Sequence, residues 1–521
     1  MDNIDIIRKF MSLKQCNYLL VNSTNEYLVE YNSLEDNSRY KLTGFSGSTG
    51  DALVTPETIF LFVDGRYHIQ ADMEVNHEKT TVVKLSAGQK FIDELLKRIP
   101  ENEVIGIFSK KITQKMHEYL VSKRPVKLFD SDPLDLSEGN EDEGNIVIGS
   151  DLAGLTSDEK VLSITQDLKH DEYFYITDLD EVSYILNMRN FSKNYSAKIM
   201  GKCLLSSKGA KLYTPKMNNE LKSDLNEIKG HVCVDKSNIN AYDFRLIKNP
   251  KEVESPVKFL KSQKNGTEIL HLKEAFKRTD MALSAIRDYI YNNDGLSEYD
   301  ISVQLEKEFK KYGAKNLSFK SIVAKDKNSA LAHYSKSSKS EIIENGSLVL
   351  IDCGAYFEGG LATDITRVFV KGEPSALQKK IYTLVLKAFL TSFNYAKTHE
   401  KRPLIGYDID NSVHEFFDSQ DTKGFIFNHG LGHGIGINVH ETPPNLSRSE
   451  IAKTPIKEGM CFTIEPGLYK QGYFGVRLEN SCYYLNGDIH SFTNMNYEQK
   501  LIQYDLLSEQ EKIWLNNFEV K

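Results

Sequence analysis

The sequence predicts two successive α/β domains followed by a larger α+β domain rich in antiparallel sheet. Three observations carry this expectation. At 521 residues and 59.3 kDa the chain is too long for one ordinary hydrophobic core. Residues 15–130 alternate β-rich runs with helical patterns, and a second stretch of that kind runs to about residue 262. Beyond it, two helical patterns give way to short apolar runs separated by turn residues.

In the first stretch Tyr18-Leu19-Leu20-Val21 and Ile59-Phe60-Leu61-Phe62-Val63 read as strands, and residues 89–98 as an amphipathic helix. Residues 131–146 are acidic, contain glycine and are poor in large apolar side chains, which marks a linker or exposed loop. The second stretch opens much as the first does. Tyr173-Phe174-Tyr175-Ile176-Thr177 ahead of Asp180-Glu181 parallels Tyr18-Leu19-Leu20-Val21-Asn22 ahead of Asn25-Glu26, at an offset of 155 residues. This short match suggests two domains of one fold.

Residues 262–293 form one long amphipathic pattern. Ile269, Leu272, Ala275, Phe276, Met281, Leu283 and Ile286 recur at intervals near 3.6, and Thr267 is a candidate cap. A second helix is expected over 298–312. Mostly strand and turn should follow, in LVLIDCGAYF, DITRVFV, MCFTIEPGLY and GVRLENSCYYL.

Composition narrows the function classes. A chain 40% hydrophobic and 26% charged is of the soluble globular kind. The net charge of −8 is spread along the chain with no polybasic stripe, so nucleic acid is not an expected partner. No apolar run approaches the roughly 18–20 residues that span a bilayer, and no membrane association is expected. The N-terminus lacks the basic start and unbroken apolar stretch of a signal peptide. Cys16, Cys203, Cys233, Cys353, Cys461 and Cys482 are scattered with no CxxC spacing, which reads as free thiols in a reducing cytoplasm.

Five residues of the third stretch carry the chemistry. Asp352 lies in LVLIDCGA and Asp364 in ATDITR, twelve positions apart; His433 lies in HGLGHGIG, Glu465 in FTIEPG and Glu479 in VRLEN. Each sits within or just after a strand-like run. An ionised carboxylate out of water must be paired, bound to a cation or neutralised. Four carboxylates and one imidazole form a hard, oxygen-rich set suited to two divalent cations such as Mn²⁺, Co²⁺ or Zn²⁺. Singly, each residue is equally compatible with a turn, a cap or a surface ion pair; the joint pattern is not.

The series IDCGA, TDITR, HGLGHGIG, IEPG and RLEN resembles the five-ligand signature of the pita-bread metallopeptidases (family M24), which include methionine aminopeptidase, prolidase and aminopeptidase P. The resemblance implies that Asp364 and Glu479 bridge two metals, that Asp352 completes one site, and that His433 with Glu465 completes the other. It implies manganese as the usual metal. The aspartates of most members are eleven positions apart; Gly359-Gly360 can absorb the additional residue here at a hairpin tip or bulge. His333 (NSALAHYS), His429 and His440 (NVHETPP) match further family positions. The resemblance assigns His333 and His440 to the substrate and the scissile bond, and His429 to the site for the penultimate residue. Arg477, two residues before Glu479, shares its strand face and is expected to orient the metal carboxylates and help bind substrate.

The N-terminal half also resembles one branch of this family. TGFSGSTG at 43–50 followed by VDGRYHIQAD, LDEVSYILNMRN at 179–190 and SPVKFLKSQKN at 255–265 are similar to segments of the three-domain, cytosolic-type aminopeptidase P. The C-terminal YDLLSEQEKIWLNNF is similar to that branch's closing helix. The implied layout is two creatinase-like domains, 1–135 and 136–262, then a pita-bread catalytic domain over 263–521. The implied activity is release of the N-terminal residue from peptides with proline second, by a hydroxide held between two metals, with Glu465 moving the proton, in a cytoplasmic homodimer. Prolidase, which acts on dipeptides, is the alternative, and a metal-free binding protein of the same fold is a more distant one.

Overall fold

The computed structural model describes residues 2–86, 89–135, 143–398 and 403–518. Residues 136–142, within the stretch expected as a linker, lie outside the described residues. The chain forms two compact units. The first comprises residues 1–145, 157–188 and 199–257, the second 146–156, 189–198 and 258–521.

The first unit contains two sheets. One has the order β4-β3-β2-β1-β5-β6, with β1 Tyr18–Val21, β2 Asp51–Val54, β3 Ile59–Val63, β4 Thr80–Lys84, β5 Ile105–Phe108 and β6 Val126–Phe129. The other has the order β9-β8-β7-β10-β11, with β7 Tyr173–Ile176, β8 Lys202–Ser206, β9 Gly209–Tyr213, β10 Val232–Val234 and β11 Pro250–Glu252. In both, a central strand lies antiparallel to one hairpin and parallel to the strand on its other side. The second sheet is the first without β4. Its central strand begins at Tyr173 as β1 begins at Tyr18, the two residues that the sequence offset aligns. Both faces of the first sheet are covered by apolar side chains, Leu19 and Val21 on one and Leu20 and Ile107 on the other, as strands in parallel register require.

The glycine-rich loop 43–50 is pinned in place. Arg39, fully buried, donates to the carbonyls of Phe45 at 2.6 Å and Gly47 at 2.5 Å, and Ser46 N–H donates to Glu74 at 2.7 Å. The loop's glycines admit this approach, since a Cβ on Gly47 would lie 2.3 Å from the Phe45 ring.

The second unit opens with helices α1 Gly266–Asn292 and α2 Glu298–Lys311. Strands β12 Ile322–Lys325, β13 Leu348–Cys353 and β14 Ile365–Val370 make one antiparallel sheet. A five-stranded antiparallel sheet combines β15 Gly432–Gly434, β16 Glu441–Leu446, β17 Cys461–Ile464, β20 Asn480–Leu485 and β21 Asp488–Ser491, and β18 Gly467–Lys470 pairs with β19 Phe474–Arg477. Two long helices, α3 Ala376–Thr398 and α4 Gly406–Asp418, interrupt what the sequence suggested would be mostly strand and turn. In α3 the run Ile381–Leu386 is buried throughout. A helix apolar all round loses the periodicity that would distinguish it from a buried strand.

Segments 146–156 and 189–198 are built into this second unit. Asn265 Nδ2 donates to the Ala153 carbonyl at 2.8 Å, and Asn316 Nδ2 to those of Lys193 at 2.6 Å and Ser196 at 3.0 Å. Two details of α1 differ from expectation. Its cap is Asn265, whose side chain accepts from Glu268 N–H at 3.0 Å while the Glu268 carboxylate accepts from Asn265 N–H at 3.0 Å; Thr267 lies inside the first turn. Met281 is 44% exposed, whereas the other six positions of the predicted stripe are buried. Asn265→Ala should therefore cost about 1–2 kcal/mol in urea unfolding, and Thr267→Ala no more than about 0.5 kcal/mol; equal effects would contradict the capping assignment.

Candidate metal centre

The sheets of the second unit bring four carboxylates together in an interior that is otherwise apolar. Asp352 is the penultimate residue of β13, opposite Thr366 of β14, and Asp364 immediately precedes β14. Glu465 follows β17, and its N–H donates to the Leu431 carbonyl at 2.8 Å. Glu479 lies in the break between β19 and β20, where its N–H donates to the Thr366 carbonyl at 3.2 Å. The sequence suggested one continuous strand through Arg477 and Glu479. The strand instead breaks at Leu478-Glu479, yet both side chains still turn to the same partners.

Asp352, Asp364 and Glu479 are buried, and His433 and Glu465 are nearly so, at 15% and 17% side-chain exposure. His433 Nε2 lies 3.6 Å from Asp364 Oδ2 and 3.4 Å from Glu465 Oε1. Its Nδ1 is 3.1 Å from the Gly434 carbonyl, an acceptor only, so Nδ1 carries a proton and Nε2 is the nitrogen turned to the carboxylates. Potential ligand atoms of Asp364, His433 and Glu479 all lie within 4.8 Å of one another.

Arg477, buried within the cluster, is the cation that the protein itself supplies. It donates to Asp352 Oδ2 at 2.5 Å, to Thr366 Oγ1 at 3.2 Å and to Tyr469 Oη at 2.8 Å. Thr366 in turn donates to Glu479 Oε2 at 2.7 Å. One guanidinium against four carboxylates leaves the site strongly negative. Burial, with Glu479 next, pushes the Asp364 carboxyl well above its ordinary range. Burial and Glu465 do the same to Glu479. Glu465 is raised by burial to about 7, against a downward pull from Arg477.

Asp352 Oδ1, Asp364 Oδ1 and Glu479 Oε1 are buried oxygens with no hydrogen-bond partner. Such atoms are costly unless something cationic meets them. His433 Nε2, close to Asp364 Oδ2 and Glu465 Oε1, adds a nitrogen to this oxygen-rich set. These residues fit divalent cations.

The candidate histidines are placed differently from one another. His440 packs edge-on against His433, ring centroids 4.4 Å apart. His429 donates from Nδ1 to the Gly430 carbonyl at 2.7 Å and accepts at Nε2 from Tyr469 Oη at 2.8 Å. A chain of hydrogen bonds thus runs from His429 through Tyr469 to Arg477 and Asp352. His333 lies half-buried in the turn after the 3₁₀ helix Asp326–Ala330. That helix is tied to β19 through Ser329, which accepts from Gly475 N–H at 2.8 Å. The Gly359-Gly360 pair sits in the tight turn between Tyr356 and Asp364: Gly360 N–H donates to the Phe357 carbonyl at 2.9 Å, with φ +65° at Gly360. The turn is held by His271, which accepts from Gly359 N–H at 3.0 Å, and by buried Arg189, which donates to the Gly359 carbonyl at 3.0 Å.

Sequence reasoning missed Thr366 and Tyr469. Thr366 was legible, since it follows Asp364 by two and so shares its strand face. Tyr469 was not, because Pro466-Gly467 breaks the strand between it and Glu465 and erases any register.

Glu465 with its pKa raised to about 7 binds its proton more tightly folded than unfolded. Metal-free protein should therefore lose stability as pH rises from the ordinary glutamate value through about 7. Glu465→Gln removes that dependence. In chelator, thermal unfolding of wild type should worsen relative to Glu465→Gln between about pH 5 and 8; a constant gap would contradict the shift.

Family models match both halves of the chain. Residues 271–484 match metallopeptidase family M24, and residues 4–135 match the creatinase/prolidase N-terminal domain. Xaa-Pro aminopeptidase 1 of Dictyostelium discoideum is 27% identical over 99% of this chain and 91% of its own length. A probable Xaa-Pro aminopeptidase P of Sordaria macrospora is 28% identical over 99% of this chain and 94% of its own. The fold is similar to that of an X-prolyl aminopeptidase from Caenorhabditis elegans, described as a cytosolic enzyme with a di-nuclear active site. That match has a TM-score of 0.88 at 22% identity, over 99% of this chain and 95% of the other. The carboxylates and imidazole gathered here all lie within the matched peptidase span, and the chain carries an M24 metallopeptidase domain with a creatinase/prolidase N-terminal domain ahead of it.

Proposed function

We propose that this protein is a metal-dependent aminopeptidase that releases the first residue of peptides whose second residue is proline. The observation that carries the reading is the set of unpartnered buried oxygens on Asp352, Asp364 and Glu479, with His433 Nε2 3.6 Å from the other oxygen of Asp364. Relatives named for Xaa-Pro cleavage, similar over nearly the whole chain, support it. Asp364 and Glu479, nearest one another around His433, would be shared between two cations. Asp352 would serve one of them, and His433 with Glu465 the other. The hard oxygen set favours Mn²⁺, with Co²⁺ or Zn²⁺ as substitutes. Such cations, when bound, polarise a carbonyl and bring water's pKa near neutral.

The remaining work falls to the protein's own groups. Glu465 would take a proton from water at its carboxylate and return it to the leaving amine. Arg477 keeps Asp352 and, through Thr366, Glu479 in fixed orientations. His333 and His440 would grip the substrate around the scissile bond. An X-Pro bond has no N–H and a fixed φ, so its site needs a shaped apolar slot. His429 stands between the rings of Phe427 at 4.9 Å and Tyr469 at 5.4 Å, a wall suited to a proline ring. A free N-terminal amine would meet the acidic cluster, which confines cleavage to the first bond.

The two sheets of the first unit are read as two creatinase-like domains ahead of the catalytic one. Among the described residues no helix is long and apolar enough to cross a membrane. All six cysteines are buried free thiols, and a cytoplasmic homodimer acting on peptides accords with that.

Asp364→Ala and Glu479→Ala protein should retain far less metal by elemental analysis than wild type; full occupancy with normal activity would overturn the ligand assignment. On metal-reconstituted enzyme, X-Pro-Y peptides should be cut and N-acetylated ones refused. Alanine in place of proline should lower kcat/KM by an amount equivalent to about 1–3 kcal/mol or more. Faster turnover of X-Pro dipeptides than of X-Pro-Y tripeptides would favour a dipeptidase instead.

A further inference from the structure

Helix α4 carries a buried acid that none of the roles above uses. Asp410 is fully buried, and its Oδ1 accepts from the Leu431 N–H at 2.9 Å. Leu431 lies midway between His429 and His433, and its carbonyl accepts from the N–H of Glu465 at 2.8 Å. One residue is thus fastened through its N–H to helix α4 and through its carbonyl to the strand end that carries Glu465. From this geometry we infer that Asp410 is a positioning residue, holding the His429–His433 segment so that His433 meets Asp364 and Glu465 and His429 meets Tyr469.

Three observations point the same way. Gly432 and His433 are held by the β15 ladder, opposite Leu446 and Asn445, but the approach to it, His429–Leu431, lies outside any strand; two of the five residues are glycines, and no Cβ fits at Gly432, where one would lie 2.0 Å from the Thr463 carbonyl. A loop with so little side chain of its own must be held through its backbone. Next, the same helix braces His429 by packing, since His414 lies against Phe427 and Phe427 against His429, each pair 4.9 Å between centroids. Finally, Asp410 is itself expensive. Its Oδ2 has no hydrogen-bond partner; His414 Nε2 stands 3.4 Å away without the alignment of a bond, and the exposed Arg448 Nε is 3.9 Å away. Burial pushes the Asp410 carboxyl up to about 7 and the His414 ring down to about 4. An acid kept at that cost where a leucine would fill the space calls for a function, and the Leu431 N–H supplies it.

The inference rests on the proposed peptidase reading for its kinetic arm only. Asp410→Leu fills the volume without an acceptor, and Asp410→Asn keeps one. Hydrogen exchange by mass spectrometry on the metal-loaded full chain should show the peptide covering 429–433 exchanging faster in Asp410→Leu, with lower retained manganese. Asp410→Asn should recover both. With X-Pro-Y substrates kcat should fall about 10–100-fold in Asp410→Leu, as removal of a group supporting a metal ligand typically does, and KM should change less. Asp410→Ala carries the same expectation should the leucine variant not fold. Unchanged exchange and metal content in a folded Leu or Ala variant would overturn the inference, as would an asparagine variant no better than the leucine one. If wild type proves inactive on X-Pro-Y peptides, the peptidase reading fails, while exchange and metal retention still decide the role of Asp410.

Discussion

Like charges forced together out of water are the constraint on which this structure turns. Asp352, Asp364 and Glu479 are sunk in sheets whose other residues are mostly apolar, with Glu465 beside them. Burial and neighbouring carboxylates raise the proton affinity of Asp364, Glu465 and Glu479, and a single guanidinium cannot balance the cluster. Arg477 nevertheless decides the geometry. By binding Asp352, Thr366 and Tyr469 at once it fixes one oxygen of Asp352 and, through Thr366, one of Glu479. The opposite oxygens are left pointing inward with nothing to accept from. The site is orderly because half of it is satisfied by protein and the other half is reserved for cations.

Backbone devices deliver these side chains. Pairing of Asp352 with Thr366 across an antiparallel ladder brings one aspartate beside the residue that anchors Glu479. The break after Arg477 lets Glu479 leave strand register and bond back to Thr366 through its own N–H. Between the two aspartates the chain makes a tight turn, which Arg189 and His271 clamp from outside. Arg189 is the penultimate residue of the LDEVSYILNMRN segment, so a stretch that resembles part of a separate domain helps hold the turn that leads to Asp364. The duplicated sheets of the first unit carry no comparable cluster among the described residues.

Much of this was legible in the sequence, for identifiable reasons. Strands such as Leu348–Cys353 and Ile365–Val370 announced themselves as apolar runs, the first reaching an acid near its end and the second following one. The 155-residue offset found the central strands of both N-terminal sheets from five residues each, because those strands occupy the same place in the same topology. What was lost is equally physical. Helix Ala376–Thr398 is buried on nearly every side, so its period vanished. Met281 was counted in the predicted stripe and yet faces water, since five residues after Phe276 and two before Leu283 it falls on the opposite face of the helix. The contacts of Tyr469 with His429, of Arg189 with Gly359 and of Asp410 with Leu431 are long-range, and no local spacing could have foretold them.

The central claim is that these five residues form a cage for two cations. Crystals soaked with Mn²⁺ and measured at a wavelength where manganese scatters anomalously test it most directly. The account predicts two anomalous peaks, both in contact with Asp364 and Glu479, one also near Asp352 and the other near His433 and Glu465. No peak at this site, or peaks elsewhere on the molecule only, would contradict it.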